Sequence, residues 1–207
     1  MAGGRGKRFN FDKIDSKIQE KLLLLIGGKF IIEYVIDAAI NSKNINRVII
    51  ATSPNTTQTK SFIESKKMAI ELFETPGNGY HSDLQYIINN LGLGVVMTIA
   101  ADIPLIESEF IDSIINKYYK SNKPALSVMT NIKSFGQNGL EPTITIQPKN
   151  NHETLVPLGI NIIDGRFIDY PEIEETIFIT EKKELLFNIN TAEDYDQLKK
   201  YFNTKYQ

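Results

Sequence analysis

The chain has 207 residues, 42% hydrophobic and 23% charged, the balance of an ordinary globular protein long enough to bury a core as one domain over 1–207. A net charge of −2 argues against a nucleic-acid footprint over the whole surface, and the absence of cysteine excludes disulfides, thiolate metal sites and cysteine nucleophiles. His81 and His152 are too few for a zinc enzyme to be expected, and no apolar run approaches the roughly 20 residues that span a bilayer.

The expectation is therefore a cytoplasmic protein with no membrane span and no nucleic-acid partner. The first stretch, Met1-Ala2-Gly3-Gly4-Arg5-Gly6-Lys7-Arg8-Phe9, has three glycines in four positions and three basic residues. Such a loop turns sharply and lets backbone N–H groups approach an anion, while arginine matches phosphate oxygens. On composition alone it fits a basic, glycine-rich tail equally well.

A polar stretch over 10–20 reads as a loop or short helix, and Lys21-Leu22-Leu23-Leu24-Leu25-Ile26 as a buried strand closed by Gly27-Gly28. Ile31, Ile32, Val35, Ile36, Ala39 and Ile40 recur at helical spacing. The run 47–53 is β-branched and apolar on both faces, as a buried parallel strand should be, and it stops at Ser53-Pro54-Asn55-Thr56. A charged helix over 57–67 precedes a short strand at 70–73 and the turn Thr75-Pro76-Gly77-Asn78-Gly79. A helix over 80–91 leads to the most strand-like run, 94–102, which delivers Asp102 at its carboxyl end with Pro104 just beyond. Ser108 is read as the cap of a helix to about 120, followed by a strand at 125–130.

From there the rhythm changes. Residues 131–151 are polar and loop-rich, with Thr143-Ile144-Thr145-Ile146 alternating like a half-exposed strand. Strands are expected at 155–163 and 177–180, then a last helix with Thr191 as N-cap and Asp194 in its first turn. Strands alternating with helices predict an α/β, Rossmann-like layer with a mostly parallel sheet and helices on both faces, its ligand outside the carboxyl ends of the strands. The glycine loop, residues 53–56, residues 77–80 and Asp102 all fall at such ends. A strand is expected ahead of the glycine loop, and only Met1 and Ala2 stand there, so the first strand reads as truncated and the natural start as lying upstream.

Several segments together resemble one family. Ala2-Gly3-Gly4-Arg5-Gly6-Lys7-Arg8 is similar to the A-G-G-x-G-x-R loop of nucleotidyltransferases that activate a phosphate or sugar phosphate. Glu20-Lys21 resembles that family's E-K-P-L segment, with Leu22 replacing proline. Ala101-Asp102-Ile103-Pro104 resembles its metal-binding G-D-x-P, and Asn188-Ile189-Asn190-Thr191-Ala192-Glu193-Asp194 its N-I-N-T-x-E-D ending. With 51–56, Gly77-Asn78-Gly79-Tyr80, Asp83-Leu84 and Pro157-Leu158-Gly159-Ile160-Asn161, the ordered set resembles archaeal GTP:adenosylcobinamide-phosphate guanylyltransferases of the CobY type, within the MobA-like nucleotidyltransferases.

That resemblance implies an archaeal enzyme of cobalamin biosynthesis that joins GTP to adenosylcobinamide phosphate with Mg²⁺ as cofactor. It implies a loop of Ala2, Gly3, Gly4, Arg5 and Gly6 around the triphosphate, with Arg8, Lys21 and Asp102 as catalytic residues. Asp102 and Asn190 would be the metal ligands, with Asn188 a further candidate, since hard oxygen donors suit Mg²⁺. Ser53, Asn55, Thr56, Gly77, Gly79 and Tyr80 are the candidates for guanine and ribose. Tyr80 as a core aromatic, Asp83 as a helix-start charge and Lys21 as a surface lysine remain open, and His81 and His152 are read as surface residues. Molybdopterin or a sugar phosphate as acceptor, a non-catalytic nucleotide-binding regulator and a homodimer also stay open.

Overall fold

A computed structural model describes residues 1–4, 6, 9, 11, 19–66, 69–137, 140–142, 144–148 and 153–206. The β-branched runs become strands and the segments of 3.6 period become helices. In chain order these are β1 (Leu25–Ile26), β2 (Lys29–Phe30), α1 (Ile31–Ile40), β3 (Ile49–Thr52), α2 (Thr57–Ser65), β4 (Glu71–Glu74), α3 (Tyr80–Leu91) and β5 (Val95–Ile99). There follow α4 (Ser108–Ser121), β6 (Ala125–Asn131), α5 (Ile132–Gln137), β7 (Leu155–Asp164), β8 (Glu175–Ile179) and α6 (Ala192–Tyr206).

β3 pairs with β4 in parallel, and a second group has the order β5-β7-β6-β8. Met1 and Ala2 stitch the two groups together. The Ala2 N–H donates to Ala51 O at 2.8 Å, the Met1 ammonium to Ile99 O at 2.8 Å, and the Ala101 N–H to Met1 O at 3.3 Å. Bonds from one residue to positions 99 and 101 of its neighbour are the slanted pattern of a parallel ladder. The layer therefore runs β4-β3-(Met1-Ala2)-β5-β7-β6-β8. Only β7 is reversed, pairing antiparallel with both β5 and β6 while β8 lies parallel to β6. This is the α/β, Rossmann-like, mostly parallel sheet that the alternation predicts, and it brings the ends of β3, β4 and β5 to one edge.

Successive strand residues face opposite sides, so the sheet buries apolar groups on both. Ile50, Met97, Ile99, Leu126 and Ile160 join a large core with Ile32 and Ile36 of α1 and Ile111 and Ile114 of α4. Ile49, Ala51 and Val96 join a smaller one with Leu84, Ile87 and Ile88 of α3. Each fully buried Leu or Ile among them, such as Ile32, Leu126 and Ile160, contributes about 1.5–3 kcal/mol.

Four local expectations are corrected. Residues 21–26 are not one strand: Lys21–Leu23 form a 3₁₀ turn, and Leu25–Ile26 pair antiparallel with Lys29–Phe30 across Gly27-Gly28. The loop expected after β6 starts with helix α5, anchored by Phe135, which is buried. The alternation at 143–146 yields one isolated bridge between Ile146 and Leu155, with Ile144 exposed, and Thr143 lies outside the described residues. Ser108 is the first helical residue of α4, and Glu107 stands at its N-cap. Among the described residues no helix is long and apolar enough to cross a membrane.

Candidate active site

The 3₁₀ turn after Glu20 aims Lys21 across the sheet edge at the end of β5. Its Nζ donates to Asp102 Oδ2, to the Ile189 carbonyl at 2.6 Å and to Asn190 Oδ1 at 3.5 Å. Lys21 and Asp102 are each 15% exposed, so the pair is shielded from bulk water. The partner strand of backbone is fixed as well: the Ile189 N–H donates to Asp102 O at 3.1 Å. Beyond it, Asp194 Oδ2 accepts the N–H groups of Asn190 and Thr191 at 2.9 and 2.8 Å, and the Asp194 N–H donates to Thr191 Oγ1 at 3.1 Å. Thr191 and Asp194 thus cap α6 reciprocally and hold Asn190 at the corner. Asn190 Nδ2 reaches Asn188 Oδ1 at 3.3 Å, which makes Asn188 a support of Asn190.

Glu20, the residue before Lys21, is fastened separately. Its carboxylate accepts the N–H of Gln58 at 2.7 Å and of Thr59 at 2.8 Å, the first free donors of α2, where Thr56 makes no side-chain cap. A carboxylate at a helix N-terminus satisfies two orphan donors and meets the positive end of the dipole. The segment bearing Lys21 is thereby tied to the loop after β3.

That loop meets the glycine stretch. Ser53 is buried and its Oγ donates to Gly3 O at 2.8 Å, while Asn55 N and Nδ2 donate to Ser53 Oγ at 3.1 and 3.2 Å. Thr56 Oγ1 receives the Ser53 N–H at 3.2 Å. A Cβ on Gly3 would stand 3.1 Å from Ser53 Cβ, so a side chain at residue 3 would press the two loops apart by a few tenths of an ångström. The turn after β4 closes the third side. Asp83 of α3 is buried and accepts the N–H groups of Gly77 and Asn78 at 3.0 and 3.1 Å. Gly77 has φ +77°, and a Cβ there would lie 2.8 Å from Asn55 Nδ2.

Tyr80 opens α3 and shares a hydrogen bond with Thr98 Oγ1 at 2.7 Å, and accepts one from Asn161 Nδ2 at 3.1 Å. Burial raises its phenol above the ordinary value, and these two side chains pull the other way. The Met1 amine, buried beside Ile99, is lowered to about 6, with the Asp102 charge opposing that shift.

One cleft of about 1470 Å³ collects these groups. Ala2, Gly3, Gly4, Gly6, Lys21, Asn55, Thr56, Gly77, Gly79, Tyr80, Asp102 and Asn190 line it. Of the expected positions, Ser53 lies behind this wall as the support of Gly3, and Arg5 and Arg8 fall outside the described residues. His81 is exposed at the rim, and His152 is outside the described residues. Sequence reasoning gave no site role to Glu20, Thr98 or Asn161. Glu20 and Asn161 stand in the motif segments themselves, whereas Thr98 inside a strand carries no separate signal.

A metal ion is testable against this donor set. Asp102 Oδ1 is buried and has no hydrogen-bond partner, and Asn190 Oδ1 lies within reach of the same ammonium. One carboxylate oxygen with one amide oxygen suits a hard divalent cation that takes its remaining ligands from phosphates and water. Among the described residues there is no group of three or more His, Asp or Glu able to hold a metal without a substrate.

Comparison with known proteins identifies the family. The model of the MobA-like NTP transferase domain matches residues 1–150. An adenosylcobinamide-phosphate guanylyltransferase of Methanocaldococcus jannaschii is 32% identical over 94% of this chain and 91% of its own. A probable molybdenum cofactor guanylyltransferase of Thermococcus gammatolerans is 28% identical over 97% of each. In fold, the molybdopterin-guanine dinucleotide biosynthesis protein A of Archaeoglobus fulgidus superposes with a TM-score of 0.65 at 15% identity, covering 98% of this chain and 96% of that one. The chain belongs to the MobA-like NTP transferase family.

Proposed function

We propose that the protein transfers GMP from GTP to adenosylcobinamide phosphate, releasing pyrophosphate and forming adenosylcobinamide-GDP. The observation that carries this reading is the meeting of Lys21, Asp102 and Asn190 in a cleft that Gly3, Gly4 and Gly6 of the glycine loop also line. Transfer of this kind asks a protein for positioning and charge, with little covalent work. Backbone groups of Gly3, Gly4 and Gly6 would hold the β- and γ-phosphates. Lys21 and Arg8 would neutralise charge on the departing pyrophosphate, and Asn55, Thr56, Gly77, Gly79 and Tyr80 would receive guanine and ribose. Asp102 and Asn190 would hold Mg²⁺, which when bound draws charge from the triphosphate. The acceptor's phosphate oxygen attacks the α-phosphorus; the bond from that phosphorus to the bridging oxygen breaks, and pyrophosphate leaves with the electron pair.

The corrinoid acceptor is supported by the Methanocaldococcus relative and by the size of the cleft, which exceeds what a nucleotide alone requires. A molybdenum cofactor precursor as acceptor is the second reading, supported by the Thermococcus relative. A regulator that only binds nucleotide would have no use for a shielded aspartate beside Lys21. The test is pyrophosphate release from GTP and Mg²⁺ with each acceptor in turn. Release with adenosylcobinamide phosphate is expected, and release only with molybdopterin or a hexose 1-phosphate would replace the assignment.

A further inference from the structure

One face of the sheet carries a polar row that crosses four strands. Thr98 of β5 pairs with Asn161 of β7, and Asn161 in turn with Ser127 of β6, so the three side chains leave the same face at one level. β8 continues the row. Glu175 pairs with Ala125, two residues before Ser127 on the same face, and the Ser127 hydroxyl donates to Glu175 Oε2. The other end of the row is Tyr80, whose hydroxyl accepts from Asn161 Nδ2 at 3.1 Å. Leu126, Val128 and Phe178, which alternate with these positions, turn instead to the large core. Around the row the same cleft is apolar: Ala125, Met129, Pro157, Ile144 and Tyr170 line it, the last two 62% and 61% exposed. The other carboxylates of the cleft already have strong partners. Glu20 holds the first amides of α2, Asp83 those of Gly77 and Asn78, and Asp102 the Lys21 ammonium. Among the described residues lining the cleft, Glu175 is the carboxylate left exposed with a neutral hydroxyl as its partner.

We propose that Glu175, oriented by Ser127, selects the acceptor, favouring a cationic ring fringed with amides over an anionic one. The inference rests on the transfer to adenosylcobinamide phosphate proposed above and names what recognises its ring. From β5, whose end leads to Asp102, to β8 is three strand spacings, roughly 14 Å. A phosphate held beside Asp102 reaches Glu175 only through a large substituent, and one sugar ring is too short. A corrin carries carboxamides around its rim and positive charge at its cobalt. Amide N–H groups donate to a carboxylate in stronger bonds than to a neutral oxygen, and the charge of the ring adds to the attraction. The apolar residues around the row meet the hydrocarbon of the ring. A pterin dithiolate brings negative charge against the same carboxylate and is repelled.

The test measures transfer and binding in wild type, Glu175→Gln and Glu175→Lys, with phosphate-free adenosylcobinamide as the probe in equilibrium dialysis. Glu175→Lys is expected to weaken the probe at least about tenfold and to raise KM for adenosylcobinamide phosphate by a similar factor, while KM for GTP stays within about twofold. Glu175→Gln, which keeps a neutral acceptor oxygen, should fall between wild type and Glu175→Lys. Unchanged corrinoid affinity in Glu175→Lys, with wild type transferring GMP, overturns the proposal and leaves the reaction standing. Equal rises in KM for GTP and for the acceptor would make Glu175 a structural residue and overturn it too. Wild type that neither binds the probe nor transfers GMP to the corrinoid fails at the reaction itself, and the selection falls with it. Probe affinity that drops as protein concentration rises assigns this face to a second copy and also overturns the proposal.

Discussion

Lys21 and Asp102 lie 81 residues apart in sequence and form an ion pair that solvent barely reaches. Removing one partner strands the other, which costs far more than losing a surface bridge. Lys21→Met is expected to destabilise the fold by about 2–4 kcal/mol and to lower turnover. Asp102→Asn keeps the shape but leaves the Lys21 ammonium only neutral acceptors, the Ile189 carbonyl and Asn190 Oδ1 among them, and is expected to cost about 1–3 kcal/mol and to lower turnover at least about 100-fold. Urea unfolding with steady-state kinetics separates the two, and wild-type turnover in Asp102→Asn would remove this carboxylate from the chemistry.

Glu20 transmits the position of α2 to Lys21 through two backbone bonds. Glu20→Ala leaves those donors uncapped and is expected to cost about 1–2 kcal/mol. Because Lys21 would lose its fixed approach to Asp102, kcat should fall more than KM for GTP rises. Intact kinetics alongside the stability loss would make Glu20 a helix cap and nothing more.

The turn after β4 is set by Gly77 and Asp83. Gly77→Ala meets both an unfavourable φ of +77° and a 2.8 Å contact with Asn55 Nδ2. The expected result is a loss of about 1–3 kcal/mol in stability and weaker GTP binding by calorimetry. Asp83→Asn, which keeps an acceptor oxygen for the same N–H groups, should bind GTP closer to wild type.

The buried amine at Met1 predicts a pH dependence. Its folded value of about 6 lies below the ordinary 8.0, so between these the unfolded chain holds more protons and stability rises with pH. The penalty is complete below about pH 6 and gone above about pH 8, a span of about 2–3 kcal/mol. Urea unfolding of free and N-acetylated protein, both starting at Met1, checks this. Acetylation should stabilise at pH 6 and have little effect at pH 8, the difference cancelling titration elsewhere.

The sheet and the edge where the candidate residues gather were legible because they rest on local patterns. The run 94–102 ends in Asp102-Ile103-Pro104, and helix α3 begins and ends where its apolar spacing does. The reversal of β7 was not legible, since the apolar alternation of Val156, Leu158, Ile160 and Ile162 marks a strand and its buried face but carries no chain direction. Ile144 and Ile146 alternate like strand residues, yet among the described residues the pairing there is the isolated bridge of Ile146 to Leu155. Glu20 escaped for a related reason. Its partners Gln58 and Thr59 are 38 and 39 residues away, and only the folded loop brings them together.

The most direct measurement follows label from GTP carrying radioactive α-phosphorus, with Mg²⁺ and adenosylcobinamide phosphate, in wild type and Asp102→Asn. The expected result is stoichiometric transfer of labelled GMP to the corrinoid by wild type and at least about 100-fold slower transfer by the variant. Unlabelled corrinoid from folded, GTP-binding wild-type protein, or equal rates in the two forms, would contradict the account.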